Sequence, residues 1–417
     1  MSKFWEDRLT PYQLLLIVPS IIILICIIAL GLSNTLNQEF VQLARSFYHG
    51  RLNFLGYPSG ATTDVITWKG QFYWALGPFP GIFLIPFVAL FNLVHIAFYQ
   101  SYVQWLLILG VLYMVFRLAR KLDFSKIDSY ILGFGFVLGS AFIGVNMNSS
   151  SWYFSQVLTT FLLFASILEF YGKRRWWLIG IICGCVAMVR ISAAPIAIFY
   201  LLELWVAYSK KHGDRKLRNK QLAYLCLPLI IAALLLSLYN YARFGNLLQQ
   251  GYSYQHILTV NLYDRTYGLF SIRYIPSNLY YFLLSTPAAV FRNNLTHILK
   301  FPFIQASPWG LSIFFTSPYL LYLFLMKKVS FDGRTIRMLI AIAVSAALVL
   351  TYYGIGYFQY GYRYALDFLP LLFTLFMIKY RQKHGSLTAG MKTLLLGSGV
   401  LNFYMLLVLE KIGVFHG

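Results

Sequence analysis

Long apolar runs dominate the chain, and short polar or basic segments separate them. A helix needs about 20 mostly apolar residues to cross a bilayer. Stretches that approach this requirement lie at 13–32, 79–98, 101–116, 129–147, 152–171, 176–190, 192–208, 222–240, 310–326, 338–355, 364–378 and 393–410. The pattern predicts an all-α integral membrane protein, with residues 1–417 forming a single multi-span transmembrane domain and no separate soluble domain.

Basic residues indicate the orientation of these stretches. They cluster in segments 117–126, 173–175, 210–220, 327–337 and 379–392, and at the N-terminus as Lys3 and Arg8. Lys and Arg concentrate in cytoplasmic loops, so all of these clusters should share one side of the membrane. That arrangement requires one early stretch not to cross. The stretch 79–98 contains Pro86 and is predicted to be an interfacial or re-entrant helix, which leaves about 11 transmembrane helices.

Two long segments then face the outside, at about 33–100 and 241–309. The first loop opens with an amphipathic pattern that predicts an interfacial helix in the headgroup plane. Its apolar face comprises Phe40, Leu43, Ala44 and Phe47, and its polar face comprises Glu39, Gln42, Ser46 and His49. The second loop is basic and rich in Tyr, which suits an anionic lipid head or a sugar.

Composition narrows the class of protein. The chain is 59% hydrophobic and 11% charged, with a net charge of +21. An ordinary soluble domain carries about 25% charged residues, so a large soluble enzyme is excluded. The basic residues sit between apolar runs as topogenic and headgroup contacts do, which argues against nucleic-acid binding. The first apolar run has no small-residue cleavage site after it and is predicted to stay as a span.

Acidic residues are so few, 13 in all, that candidate general bases can be considered one by one. Those predicted on or near the outer face are Glu39, Asp64, Asp264, Asp367 and Glu410. Asp264 and Glu410 are interpreted as ordinary surface residues. A carboxylate beside a membrane surface is a functional candidate. Three acids then remain: Asp367, which could pair with Arg363, and Glu39 and Asp64 in the first loop, which are the candidate bases.

Several ordered segments carry a family resemblance. The first loop contains Asp64, then 68–73 and the Gly- and Pro-rich turn 77–81, and four further segments with motifs of their own follow at 187–195, 239–252, 309–318 and 360–370. Together they resemble the GT-C superfamily of polyprenyl-phosphate-sugar-dependent glycosyltransferases, specifically bacterial relatives of the protein mannosyltransferase and aminoarabinose transferase group. The resemblance implies a GT-C-like helix bundle with interfacial helices in the first external loop.

The same resemblance implies an activity and its partners. The enzyme would be an inverting hexosyl- or pentosyltransferase that uses a polyprenyl-phosphate sugar donor. The acceptor would be a lipid, a polysaccharide or a protein of the cell envelope. The protein would contact membrane lipids in a bacterial inner membrane, with its active site facing the periplasm or exterior.

Such chemistry needs a base for the acceptor hydroxyl and cations for the leaving phosphate. Glu39 is the position that the family pattern places nearest the base, and Asp64 is the rival. Predicted ligands of substrate or phosphate are Arg363, Arg190, Arg243, Arg273, Tyr73 and Tyr364. Two of them have a stated structural alternative: Arg363 could pair with Asp367 or anchor a helix end, and Arg190 could be a similar anchor.

No metal site is predicted, because no external histidine pairs with an acid at a metal-ligand spacing. No cofactor is expected, although a divalent ion stays open because the oligosaccharyltransferase branch of the superfamily uses one. Two other functions also stay open. One is a transporter or flippase of polyprenyl-linked sugars; the other is a lipid-pyrophosphate-dependent polysaccharide polymerase or ligase, which would depend on external arginines without an essential acid.

Overall fold

The computed structural model describes residues 10–57, 64–209, 215–255, 265–325 and 331–411. The α-helices in these ranges are α1 (Pro11–Ser33), α2 (Glu39–Tyr48), α3 (Phe79–Leu93), α4 (Ser101–Lys121), α5 (Lys126–Val137), α6 (Ile143–Asn146), α7 (Ser151–Phe170), α8 (Trp176–Val189), α9 (Ile196–Ser209), α10 (Arg215–Phe244), α11 (Ile275–Leu279), α12 (Ile313–Thr316), α13 (Tyr322–Leu325), α14 (Gly333–Leu350), α15 (Leu369–His384) and α16 (Ala389–Lys411). Short 3₁₀ turns occupy Ile191–Ala193, Tyr252–Tyr254, Ile272–Tyr274, Pro318–Leu321 and Arg363–Asp367, and a π turn occupies Tyr280–Leu284.

Two antiparallel hairpins interrupt the helices. The first hairpin joins β1 (Val65–Trp68) to β2 (Gln71–Trp74), in the first loop. The second hairpin joins β3 (Ala288–Phe291) to β4 (Leu299–Gln305), in the second loop, and contains a bulge near Phe291. Both lie in the loops predicted to be external, where neighbouring chain or water can satisfy their edges.

Seven helical segments of the described chain are long and apolar enough to cross a membrane. They are Pro11–Ser33, Ser101–Lys121, Ser151–Phe170, Ile191–Tyr208, Arg215–Phe244, Gly333–Leu350 and Ala389–Leu409. Each coincides with a predicted span. The predicted total of about 11 is not confirmed, because the remaining predicted spans form shorter or broken helices. The stretch 79–98, predicted not to cross, forms the 15-residue helix α3.

The broken stretches have local causes. In 129–147, α5 stops at Val137, and the backbone at Gly139 lies so close to α16 that an added Cβ would be 2.6 Å from the carbonyl oxygen of Leu395. In 310–326, Ser312 caps α12, and Pro318 opens a 3₁₀ turn after the one-turn helix. A proline lacks the N–H that a continuing helix would need.

The core runs through most of the bundle. One buried apolar cluster includes residues from Ile17 in α1 to Leu409 in α16. Within it α4 packs against α5 and α7, α7 packs against α8, and α16 packs against α1 and α5. Cys183 belongs to this cluster and is fully buried, and all four cysteines are unbridged.

Helix α2 confirms the predicted amphipathic segment but corrects its polar face. Phe40, Leu43 and Ala44 are fully buried, as expected. Glu39 and Ser46 were assigned to the exposed polar face, yet both are also fully buried. The reason is that α2 packs against α3, while the N–H of Phe40 donates to Ser151 in the first turn of α7. The helix therefore contributes to the core on two sides.

Candidate active site

The two predicted external loops meet at the first turn of α7. Trp152 in this turn donates from its indole Nε1 to Asp64 Oδ2 at 2.8 Å. Tyr153, the next residue, lies with its ring 5.1 Å from the Arg363 guanidinium. The preceding residue, Ser151, lies beside Glu39. Three consecutive residues thus place the two candidate carboxylates and the favoured arginine around one turn of helix.

Glu39 is the first residue of α2 and is fully buried. Neither carboxylate oxygen has a hydrogen-bond partner among the described residues. Burial raises the pKa of Glu39 to about 7, and the nearby charge of Asp64 adds to the rise, while the adjacent Ser151 hydroxyl opposes it. A carboxyl group with this pKa can take up or release a proton near neutral pH.

Asp64 is more firmly held than Glu39. One carboxylate oxygen accepts from Trp152, and the other accepts from Gln255 Nε2 at 2.6 Å. Burial raises the pKa of Asp64, whereas the hydrogen bond from Trp152 and the charges of Arg265 and Arg363 oppose the rise. Asp64 also has a φ of +63°, a left-handed conformation that a non-glycine residue adopts rarely. Its orientation is therefore fixed by α7 and by the second loop.

Arg363 opens the 3₁₀ turn Arg363–Asp367 and is only 8% exposed. Its guanidinium lies over the rings of Tyr153 and Tyr364, at 5.1 and 5.0 Å. Its one side-chain hydrogen bond among the described residues runs from Nη1 to Gln156 Oε1, at a long 3.4 Å, and its Nε has no partner. No acidic residue of the described chain forms a salt bridge with it. A buried cation in this state is suited to bind an anion.

Arg190 makes the pair that sequence reasoning considered for Arg363. Its Nε and Nη2 donate to the two oxygens of Asp367 at 2.7 and 3.0 Å, and Ser192 also donates to Asp367. The Arg190 guanidinium lies 5.6 Å from the ring of Tyr364, which also contacts Arg363. Arg190 is thus neutralised by Asp367, and Tyr364 contacts both this paired arginine and Arg363.

Arg243 and Tyr73 lie together at the base of the first hairpin. Arg243 is 5% exposed and donates to the carbonyl of Trp74 at 2.9 Å and to Asn240 Oδ1 at 2.8 Å. Tyr73 is half-buried and its ring is 5.3 Å from that of Phe244. These contacts fasten the end of α10 to β2, so both residues support the site.

Arg273 lies apart from this cluster. It is exposed, and its guanidinium lies 4.3 Å from the ring of Tyr267 on the surface of the second loop. Asp264, interpreted from the sequence as a surface residue, lies outside the described residues. The structure therefore brings together all of the predicted site residues except Arg273, around the first turn of α7 and the adjoining hairpin.

Sequence reasoning missed the residues that join the two loops. Arg265 donates to Gln255 Oε1 at 2.6 Å, to the Tyr353 hydroxyl at 2.7 Å and to the carbonyl of Tyr252. Gln255 in turn donates to Asp64. Gln156, which lies next to Arg363, could have been identified from the sequence, because an amide side chain inside the apolar stretch 152–171 is conspicuous. The Arg265 contacts carry no such local signal.

Apart from Arg243 at the hairpin, the charges around the first turn of α7 are close to balanced. The acidic members are Glu39, Asp64 and Asp367, and the basic members are Arg190, Arg265 and Arg363. When Glu39 is protonated, the basic groups exceed the ionised acids by one charge. The described residues contain no group of three or more His, Cys, Asp or Glu side chains arranged to hold a metal ion. The expected absence of a metal stays a prediction.

Comparison with known proteins gives one distant similarity. No family model matches the sequence, and no curated protein matches it. Among solved structures, the chain is similar to the crystal structure of the Archaeoglobus fulgidus oligosaccharyltransferase in the apo form, with a TM-score of 0.47 and 14% identity. The match covers 97% of this chain and 56% of that one, so the chain spans little more than half that protein's length. A similarity this coarse establishes neither family nor activity.

Proposed function

We propose that the protein is an inverting membrane glycosyltransferase that moves a sugar from a polyprenyl-phosphate donor to an acceptor hydroxyl. The carrying observation concerns the described residues. Glu39 is a fully buried carboxylate beside the Ser151 hydroxyl, Arg363 is a buried guanidinium without a salt bridge to a described acid, and both flank the first turn of α7. Transfer from a lipid phosphate needs one group of each kind.

Glu39 is assigned the role of general base. The acceptor oxygen attacks the anomeric carbon while its proton passes to a Glu39 carboxylate oxygen. The bond from the anomeric carbon to the phosphate oxygen breaks, and its electron pair leaves with the polyprenyl phosphate. A pKa of about 7 keeps Glu39 sufficiently ionised at neutral pH and still basic enough to hold the proton.

Asp64 is assigned a positioning role instead. Both of its oxygens already accept hydrogen bonds, from Trp152 and Gln255, so it is less available to an acceptor proton than Glu39. Its charge would orient the acceptor hydroxyl and hold the two loops together. This assignment proposes Glu39 over Asp64 as the base, a choice that the sequence left open, and the variants below test it.

Arg363 is assigned to the leaving phosphate. A guanidinium presents a planar fork of donors that matches two phosphate oxygens, and Arg363 has an unbound Nε to offer. Arg265, whose charge also acts on Asp64, would add a second positive field at the same place. Arg190 would act indirectly, because its pair with Asp367 fixes the turn that carries Arg363.

The partners follow from the same proposal. The polyprenyl tail of the donor would lie among the membrane helices, and the acceptor would be a lipid, polysaccharide or protein on the external side. A bacterial inner membrane, with the site facing the periplasm or exterior, is the proposed location. No cofactor is proposed, and activity should persist when divalent ions are chelated.

The decisive experiment measures release of free polyprenyl phosphate by purified protein in lipid, with a panel of synthetic polyprenyl-phosphate sugars. Glu39→Gln and Arg363→Gln should each abolish most of the release, and Asp64→Asn should reduce it less. Arg51→Gln, which alters an exposed arginine of the same loop, should leave release unchanged.

Other outcomes would reject the proposal in favour of a specific alternative. Release from polyprenyl-pyrophosphate donors alone, with Glu39→Gln fully active, would indicate a polymerase or ligase. Binding of the donors without release, accompanied by their movement across the bilayer, would indicate a transporter or flippase.

A further inference from the structure

The hairpin formed by β3 and β4 exposes an unusual set of large apolar side chains. Leu295 in its turn is 94% exposed, and Ile298, Leu299, Phe301 and Phe303 are between 49% and 64% exposed. Burial of apolar surface of this size is worth several kcal/mol, at about 25 cal/mol per Å². Such a patch on a loop is expected to be covered by a partner.

The charge of this segment favours one kind of partner. Residues 265–325 contain no Asp or Glu, while Arg292 and Lys300 lie exposed on the hairpin itself. Basic side chains beside exposed Leu, Ile and Phe are the composition of segments that bind anionic membrane surfaces. A hairpin that binds another protein would not need uniformly positive charge, as one that binds an anionic membrane surface does.

The position of the hairpin supports the same partner. The hydroxyl of Tyr404 in α16 donates to the carbonyl of Pro302 in β4, and β4 packs along α16. Tyr404 lies about 22 Å along α16 from Ala389, at 1.5 Å per residue. Lys411, the last residue of the helix, is about 10 Å further. The hairpin therefore lies beside the last third of a helix that is long enough to span a bilayer.

The backbone limits how deep the hairpin can lie. A two-stranded sheet has unpaired N–H and C=O groups along both outer edges, and hydrocarbon cannot satisfy them. The headgroup region can, because water and phosphate oxygens reach it. The apolar side chains would then enter the upper part of the acyl region while the strands stay hydrated.

We infer that the β3–β4 hairpin is a membrane-docking element whose partner is the surface of an anionic lipid leaflet. Leu295, Ile298, Phe301 and their neighbours insert at the boundary between headgroups and acyl chains. Arg292 and Lys300 contact the lipid phosphates. This inference does not depend on the proposed enzymatic function.

The insertion can be measured with a fluorescent label in lipid nanodiscs. In a variant with Cys26, Cys183, Cys185 and Cys226 replaced, Leu295→Cys would carry an environment-sensitive NBD dye. We expect blue-shifted emission, protection from iodide, and stronger quenching by lipids spin-labelled near the headgroup than deep in the chain. Gln71→Cys, at the turn of the first hairpin, is the matched control and should give water-like emission and full access to iodide.

A second arm tests the charge. In nanodiscs with anionic phosphatidylglycerol, insertion should be stronger than in neutral phosphatidylcholine, and Arg292→Gln with Lys300→Gln should remove that difference. The ratio of inserted to uninserted label should fall roughly fivefold for each charge removed. Lys173→Gln, at an exposed position in a distant loop, should have no effect.

Three results would overturn the inference. Water-like emission at position 295 in both lipids would mean that the hairpin does not enter the membrane. Equal insertion in neutral and anionic discs would reject the anionic partner. Protection in detergent that grows with protein concentration would assign the patch to a second copy of the chain. Gel filtration of each labelled variant identifies misfolded protein. Lipid binding by the double variant Arg292→Gln with Lys300→Gln, in the native-cysteine background, is a second measurement of the same charge effect.

Discussion

Glu39 makes a specific prediction about pH because its carboxyl group is buried and its pKa lies at about 7. A general base must be ionised, so the rate of sugar transfer should rise with pH through about 7 and then level. Glu39→Gln should lose about 10²- to 10⁴-fold in rate and lose this pH dependence. The measurement is single-turnover release of polyprenyl phosphate between pH 5 and 9. A wild-type rate that falls through this range would instead make Glu39 an acid.

The Glu39 carboxyl group should affect the free energy of unfolding in the opposite direction, so that stability falls as the pH rises. Its pKa is raised from 4.5, so the folded state favours the protonated form and gains stability that is fully present below about pH 4.5. That contribution should be lost as the pH rises through about 7. Glu39→Gln keeps a neutral side chain and should therefore remove this part of the pH dependence of the free energy of unfolding. An unchanged dependence in the variant would place the titration elsewhere.

Arg363 should tolerate neither loss of charge nor change of shape. Arg363→Gln should lower kcat by about 10²- to 10³-fold, the usual effect of removing a donor to a developing anion. Arg363→Lys keeps the charge but loses the planar fork, so it should recover only part of the rate. Both variants should be measured beside the exposed-arginine variant Arg51→Gln. Full activity in Arg363→Lys would mean that charge alone suffices.

Single residues were predictable from the sequence where their chemistry is rare in their surroundings. Glu39 and Asp64 stood out because external acids are so few, and Arg363 because it lies at a helix end between two tyrosines. The burial of Glu39 was not predictable, since its position on α2 indicated an exposed polar face. Arg265 was not singled out among the basic residues of its loop, because its partners Gln255 and Tyr353 are defined only by the fold.

At the scale of elements, hydrophobic runs located the seven long helices, and the amphipathic pattern located α2, because both signals are local. The same runs could not indicate breaks. Stretch 129–147 is interrupted where the backbone at Gly139 approaches α16, a contact with a helix about 250 residues further along the chain. Stretch 310–326 is interrupted by Ser312 and Pro318, which are local signals that the average hydrophobicity of the run conceals.

Gly77 tests how closely the segment after β2 must pack on α8. A Cβ added at Gly77 would lie 1.9 Å from the carbonyl oxygen of Met188, so one of the two backbones would have to shift. Gly77→Ala should lower the free energy of unfolding by about 1 to 3 kcal/mol, the usual cost of overpacking, and should reduce transfer as the first hairpin moves. Gly56→Ala is the control, because no atom of the described residues lies within 4 Å of its added Cβ. Equal thermal stability of the two variants would contradict this packing.

At the scale of the molecule, the site depends on contacts between distant segments. Gln255 binds Asp64, 191 residues away, and also forms a backbone bridge with Ile66 in β1. The distribution of basic residues predicted that both loops lie on one side of the membrane, which is the condition for this contact. The sequence could not predict which residues of the two loops contact each other, since neither loop has a periodicity that fixes its fold.

The pair of Arg190 and Asp367 tests whether distant segments are held by one buried ion pair. The two residues are 177 positions apart, and the Asp367 side chain is completely buried. Arg190→Gln leaves that carboxylate unpaired, so it should lower the free energy of unfolding by about 3 to 5 kcal/mol. Arg190→Gln with Asp367→Asn should recover much of the loss, because no buried charge remains.

The control for these variants is the pair of Arg175 and Glu169, in which the Arg175 side chain is 45% exposed. Its disruption by Arg175→Gln should lower the free energy of unfolding far less than loss of the buried pair does, because exposed ion pairs contribute little. Reversible unfolding in mixed micelles would give the free energies of unfolding of the wild type and of the three variants, and the transfer rate would be measured on the same samples. If the buried pair cost no more than the exposed one, the turn that carries Arg363 would be held by packing alone, and Arg190→Gln would leave transfer intact.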